Sequence, residues 1–116
     1  MAGSPTQRSL EFLREAGYSA QVVERWNPYA RVRVDLFGWI DIVAVHPGIP
    51  GVLGVQTTTA SNISARRQKA RGIAPLAGWL ACGGRLALHG WAKRKGRWIV
   101  TSEALTVDSV RGTVEA

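Results

Sequence analysis

Apolar and polar positions follow two different periods along this chain, and the changes of period mark its elements. Ser4-Pro5-Thr6-Gln7 has the form of a capping box, with Ser4 as N-cap, Pro5 at the first helical position and Gln7 reaching back. Leu10, Leu13 and Ala16 then recur at helical spacing and Gly17 ends the run, so residues 5–16 are predicted to form one amphipathic helix. Glu11 and Glu15, four apart, share its more polar face. Residues 19–25 and 31–37 read as strand material on either side of the turn Trp26-Asn-Pro-Tyr29, and alternation sets Val32 and Val34 opposite Arg31, Arg33 and Asp35.

Trp39 to Val45 is nearly continuous and β-branched, as a central buried strand requires. His46-Pro-Gly-Ile-Pro-Gly51 reads as a turn and Val52 to Thr58 as the next strand. Ser61-Asn62 caps a second helix through Arg71, with Arg66, Arg67, Lys69 and Arg71 as a basic stripe. Pro75 to Cys82 predicts a further helical turn or two, with Trp39, Trp79 and Cys82 assigned to the core. Arg85 to Trp91 alternates as a strand, Lys93-Arg-Lys-Gly96 is a hairpin tip, and Arg97 to Thr101 returns. Residues 102–116 are weakly patterned, with an edge strand expected over 105–110 and fraying at the end. In outline the order is helix, three strands, helix, then one or two strands, which makes an α/β domain with a central mixed sheet flanked by helices.

At 116 residues the chain is expected to be a single domain, 1–116, with its core over about 5–101. A content of 46% hydrophobic and 20% charged residues argues against disorder. No apolar run reaches the roughly 18 residues needed to span a bilayer, and Met-Ala-Gly-Ser-Pro lacks the charged and apolar regions of a secretory leader. A cytoplasmic location, in a bacterial or archaeal cell or in the host of a phage, is the corresponding expectation. Fifteen basic against eight acidic residues give a charge of +7, and twelve of the fifteen are Arg, the side chain best shaped to contact phosphate oxygens in pairs. That surplus points to a polyanionic partner. The tip Lys93, Arg94, Lys95 and Arg97, between Trp91 and Trp98, and the helix residues Arg66 and Arg67 are the candidate nucleic-acid contacts. Neither His46 nor His89 has a Cys or His partner at zinc spacing, and no phosphate-binding glycine loop occurs.

The candidate chemistry lies at the strand ends. Mg²⁺ or Mn²⁺ takes oxygen ligands, usually one or two carboxylates with waters. Residues two apart on a strand face the same way, so Gln56 and Thr58 can share a cavity with Asp41 of a neighbouring strand. Asp41 is either a metal ligand or a hydrogen-bonded residue at a strand start, and Gln56 either a ligand or an amide that caps backbone groups. Asp35 is either a second metal carboxylate or an ion-pair partner of Arg33. It would lie about 20 Å from Asp41 on a straight strand, but converges with it if Gly38 permits a kink.

The element order, with Asp41-Ile-Val-Ala44 followed by Gly54-Val-Gln-Thr-Thr58, resembles the PD-(D/E)XK nuclease superfamily, and within it the archaeal-type Holliday junction resolvases and small phage-encoded nucleases. The resemblance covers about residues 5 to 91. It implies a restriction-endonuclease-like αβββαβ core and a homodimeric endonuclease that cuts DNA, branched DNA included, with Mg²⁺ or Mn²⁺. By the same resemblance Asp41 is the main ligand, and the family's Glu-x-Lys pair falls on Gln56-Thr57-Thr58. The Thr57 carbonyl and Gln56 would add oxygen ligands, Glu11 or Glu15 a helix carboxylate, and Lys69 or, second, Lys93 the missing cation. The departures are chemical: Gln56 lacks the formal charge of Glu, and Thr58 cannot supply a cation at all. They leave open a catalytically inactive nucleic-acid-binding module on the same fold and, third, a basic assembly or packaging protein.

Overall fold

The computed structural model of the chain describes residues 3–111, so the C-terminal end expected to fray lies outside the described residues. Helix α1 spans Pro5–Glu15; the Ser4 hydroxyl accepts the Gln7 N–H at its start, and Gly17 lies just beyond it at a φ of 95°. Strands β1 (Ser19–Val22), β4 (Ile42–His46), β5 (Ile49–Thr59), β6 (Arg85–Arg94) and β7 (Arg97–Leu105) form one sheet in the order β1-β4-β5-β6-β7. Pairing is antiparallel except for β5 with β6, which run parallel. A parallel pair needs a long crossover. A 3₁₀ turn at Ala60–Asn62 with helices α2 (Ile63–Ala70) and α3 (Ala74–Ala81) provides it. Strands β2 (Arg25–Asn27) and β3 (Val32–Val34) pair only with each other, as a separate two-stranded ribbon.

The sheet divides the core in two. On one face Leu10 and Leu13 of α1 cover Ile42, Ala44, Leu53, Val55 and Ala87. On the other, Ala70 and Leu76 from the crossover helices meet Trp39, Ile40, Leu86 and Leu88, joined by Leu105 and Val110. Gly90 allows the crossover to lie close, since a Cβ there would fall 2.5 Å from Ile63 Cγ1 and 3.0 Å from the Ala60 backbone. The β6–β7 hairpin turns on Lys95 (φ 51°) and Gly96 (φ 77°), the pair of left-handed residues that a two-residue turn matched to strand twist demands.

Several expectations are corrected; among them, the strands expected over 19–25 and 31–37 shorten to Ser19–Val22 and Val32–Val34, the latter outside the main sheet, and β5 begins at Ile49 within the expected turn. The buried strand begins at Ile42 rather than Trp39, because Leu36 and Ile40 bridge across a tight turn in which Phe37 and Gly38 take positive φ. Residues 105–110 do not form an edge strand: β7 ends at Leu105, and Thr106 caps a short helix, α4 (Val107–Val110), whose Val110 plugs the core. Cys82 is exposed rather than buried, because it caps the C-terminus of α3 just before a left-handed Gly83. Trp79 is only half-buried, its indole N–H directed to the Val52 and Arg85 carbonyls, whereas Trp39 is fully buried as expected. No helix among the described residues is long and apolar enough to cross a membrane.

Leu88 is wholly buried on β6 between the two layers. Leu88→Ala is expected to cost about 2–5 kcal/mol, by lost transfer energy plus an unfilled cavity. Ile99→Ala, on the exposed side of β7, is expected to stay within about 0.5 kcal/mol. Urea unfolding midpoints of the two variants check this.

Candidate functional site

The end of the sheet where β4 begins holds three carboxylates. Glu24, Asp35 and Asp41 each place an oxygen within 4.8 Å of the others. Two local features bring them together. Val23 donates its N–H to the Asp41 carbonyl, which lays the exit of β1 beside Asp41. The β2–β3 ribbon then leaves and returns, pairing Arg25 with Val34, so that Glu24 and Asp35 flank its base. From Asp35 the tight turn through Gly38 carries the chain back to Asp41, and Gly38 donates its N–H to the Asp35 carbonyl. The convergence of Asp35 with Asp41 therefore follows from the kink expected at Gly38.

Asp41 is the buried member, 5% exposed. Its Oδ2 accepts the Thr57 N–H at 2.9 Å and the Thr57 hydroxyl at 3.2 Å, and the Thr57 hydroxyl lies 2.8 Å from that of Thr6 in the first turn of α1. A short hydrogen-bonded chain thus ties α1 through β5 to the carboxylate. Burial pushes the Asp41 carboxyl up to about 7; a hydrogen bond with Asp35 and the charges of Asp35 and Glu24 push the same way, against the Thr57 N–H.

Gln56 lies elsewhere. Fully buried on β5, it donates its Nε2 to the Trp39 carbonyl and accepts Arg66 Nη1 on Oε1 at 2.6 Å, while the Trp39 indole donates to the Arg66 carbonyl. Both ends of the amide are engaged, so the alternative in which Gln56 satisfies backbone and side-chain groups describes its position here. Thr58 is buried opposite Gly90. Thr57 meets Asp41 through its N–H and hydroxyl, which donate to it. Lys69 is exposed on α2, and it is Arg66 of that helix whose guanidinium reaches a β5 side chain, that of Gln56. Glu11 and Glu15 are not in the acidic group; they line a cavity of about 380 Å³ with Arg8, Phe12, Trp91 and Trp98, in which Arg8 stacks on Trp98 at 3.5 Å. Arg67 forms a two-bond pair with Glu103 of β7, at 2.6 and 2.7 Å. Lys93, Arg94, Lys95 and Arg97 are exposed at the hairpin tip as expected.

Glu24 is the residue that sequence reasoning missed. It is the only carboxylate between Glu15 and Asp35, a signal that gains meaning only with the register pairing Arg25 to Val34. One strand from Thr57, His89 is 2% exposed, and its Nδ1 lies 2.9 Å from Ser9 Oγ, which also accepts the Trp91 indole N–H at 2.8 Å. Burial lowers the His89 pKa to about 4.

Three carboxylates offer hard oxygen donors of the kind Mg²⁺ and Mn²⁺ bind. Ligands about 2.1 Å from an ion stand about 3.0 Å apart when adjacent and about 4.2 Å when opposite, so oxygens spread over as much as 4.8 Å would have to draw together to share one ion. In kind, though not in spacing, these donors suit a divalent cation. No protein family, curated protein or solved structure matches this chain.

Asp41 binds its proton more tightly folded than unfolded, between about pH 3.8 and 7. Its contribution to stability is therefore complete below the lower value and is lost as pH rises through the upper. Asp41→Asn, which keeps an acceptor for Thr57 without the charge, is expected to raise the melting temperature at pH 8 in EDTA and to change it little at pH 4. Thermal melts at the two pH values check this; equal shifts at both would contradict the assigned repulsion.

Proposed function

We propose that this chain is a DNA-binding phosphodiesterase with a restriction-endonuclease-like core, using Mg²⁺ or Mn²⁺ held by Glu24, Asp35 and Asp41. The observation that carries this reading is the convergence of those three carboxylates at the end of the sheet. The order of α1, three successively antiparallel strands of one sheet (β1, β4, β5), crossover helices and a parallel β6 supports the same core.

A bound divalent cation supplies charge neutralisation at the phosphate and an acidified water. The chain's own residues do the rest. Thr57, backed by Thr6, orients Asp41 through its N–H and hydroxyl, so that the carboxylate would be held in place for the cation. Arg66, which is anchored on Gln56 of β5 whereas Lys69 is exposed, is the α2 cation assigned to the phosphate. The tip Lys93, Arg94, Lys95 and Arg97 gives sequence-independent backbone contact. A second copy, which the resemblance implies, would meet the exposed outer strand β7 at Trp98 and Ile99.

One observation favours the rival reading, a nucleic-acid-binding module without catalysis. Strand β5 contributes no carboxylate, and its amide is bound to Trp39 and Arg66. Cleavage separates the two. Wild type, Asp41→Ala, Arg66→Ala and Lys69→Ala would be incubated with labelled duplex, single-stranded, flap and four-way-junction DNA in Mg²⁺, Mn²⁺ or EDTA. The expected result is metal-dependent cutting abolished by Asp41→Ala with DNA binding retained, reduced about 10²–10³-fold by Arg66→Ala, and little changed by Lys69→Ala. Salt-sensitive binding without cutting of any substrate would establish the binding module instead.

A further inference from the structure

The ribbon β2–β3 packs on neither core cluster, and a free two-stranded ribbon is marginal in water. Its composition shows what it suits. Residues 25–34 contain Arg25, Arg31 and Arg33 and no acidic residue, and all three arginines are exposed. Between them stand large apolar side chains open to solvent: Tyr29 is 97% exposed, Trp26 55% and Val32 49%. The tip is nonetheless built. The Asn27 Oδ1 accepts the Tyr29 and Ala30 N–H groups at 3.0 and 3.2 Å, fixing the turn that presents Tyr29, and Arg31 holds a φ of 55°.

We propose that this ribbon is an arm that grips a DNA strand with unpaired bases and delivers it to the acidic cluster. Aromatic rings stack on bases of any sequence, and interleaved guanidinium groups pair with the phosphates between them. Trp26 is directly opposite Arg33, so the two share one ribbon face. Alternation puts Glu24 and Asp35, at the ribbon's base, on that same face; Arg33 Nη1 indeed lies 3.8 Å from Glu24 Oε1. A strand lying on Trp26 and Arg33 therefore runs towards the carboxylates, and occupation of the arm steadies two of the three. The inference rests on DNA being the partner and adds which element holds it, in what state, and how binding reaches the site.

The test measures binding by the full chain in EDTA, where cleavage cannot intrude, to a labelled fork with single-stranded arms and to a blunt duplex of the same sequence. Trp26→Ala/Tyr29→Ala is expected to weaken fork binding tenfold or more and duplex binding less than twofold, with an unchanged melting temperature. Trp26→Phe/Tyr29→Phe is expected to restore most of the fork affinity. Arg31→Ala should lower the salt dependence of fork binding by about the 0.7 in logarithmic slope expected of one lost phosphate contact. Unchanged fork binding by the alanine variant, or equal loss on fork and duplex, overturns the arm. If wild type binds and cuts DNA while the arm variant matches it, the arm alone fails; if wild type binds no DNA, the arm and the proposed function fail together.

Discussion

A carboxylate buried beside two others is costly unless something holds it, and much of this molecule is arranged around that condition. Asp41 sits where β4 starts, out of reach of bulk water and next to Asp35 and Glu24. Its stay is secured by two hydrogen bonds from one residue, Thr57, on the neighbouring strand. That residue is steadied in turn by Thr6 of the first helix. The central pairing of β4 with β5, the docking of α1 and the tight turn at Gly38 all converge on one acid. Only Thr57 and, at Glu24, the Arg33 guanidinium offset the mutual repulsion of the three carboxylates.

The opposite face of the same strand tells a complementary story. Gln56, Trp39 and Arg66 close a ring of contacts between β5, the turn before β4 and α2. It replaces what a charged residue at position 56 would do with a neutral acceptor that anchors a guanidinium. The guanidinium that meets β5 on this face is supplied by a helix. Arg67, the adjacent helix residue, is tied to Glu103, so the basic stripe read from the sequence is divided: part anchors α2 to the sheet.

The main sheet was legible because its strands are long or β-branched and bounded by Gly and Pro, and α1 because its cap and stop are both local signals. Asp41 and Asp35 stood out in the sequence as candidate carboxylates, and their meeting depended on one glycine that the sequence does show. What escaped was set by pairing between distant segments. Glu24 joins the site through the register of a ribbon only three residues long on each side, too short for alternation to announce. Glu11 lay on a suitable helix but on the wrong side of it, facing Trp91 and Trp98. Residues 105–110 looked like strand because Leu105, Val107 and Val110 are β-compatible; the Thr106–Ser109 capping box decided for a helix turn.

Two buried titrating groups lie one strand apart from Thr57, Asp41 on one side and His89 on the other. Folding raises the affinity of Asp41 for a proton and lowers that of His89. Between about pH 4 and 6.5 an unfolding chain therefore releases a proton from the first and takes one up on the second. Over that range the contributions of these two groups to the pH dependence of stability oppose each other. A divalent cation at the carboxylates would break that opposition by expelling the Asp41 proton alone, leaving the His89 contribution, which weakens the fold as pH falls, without its counterweight.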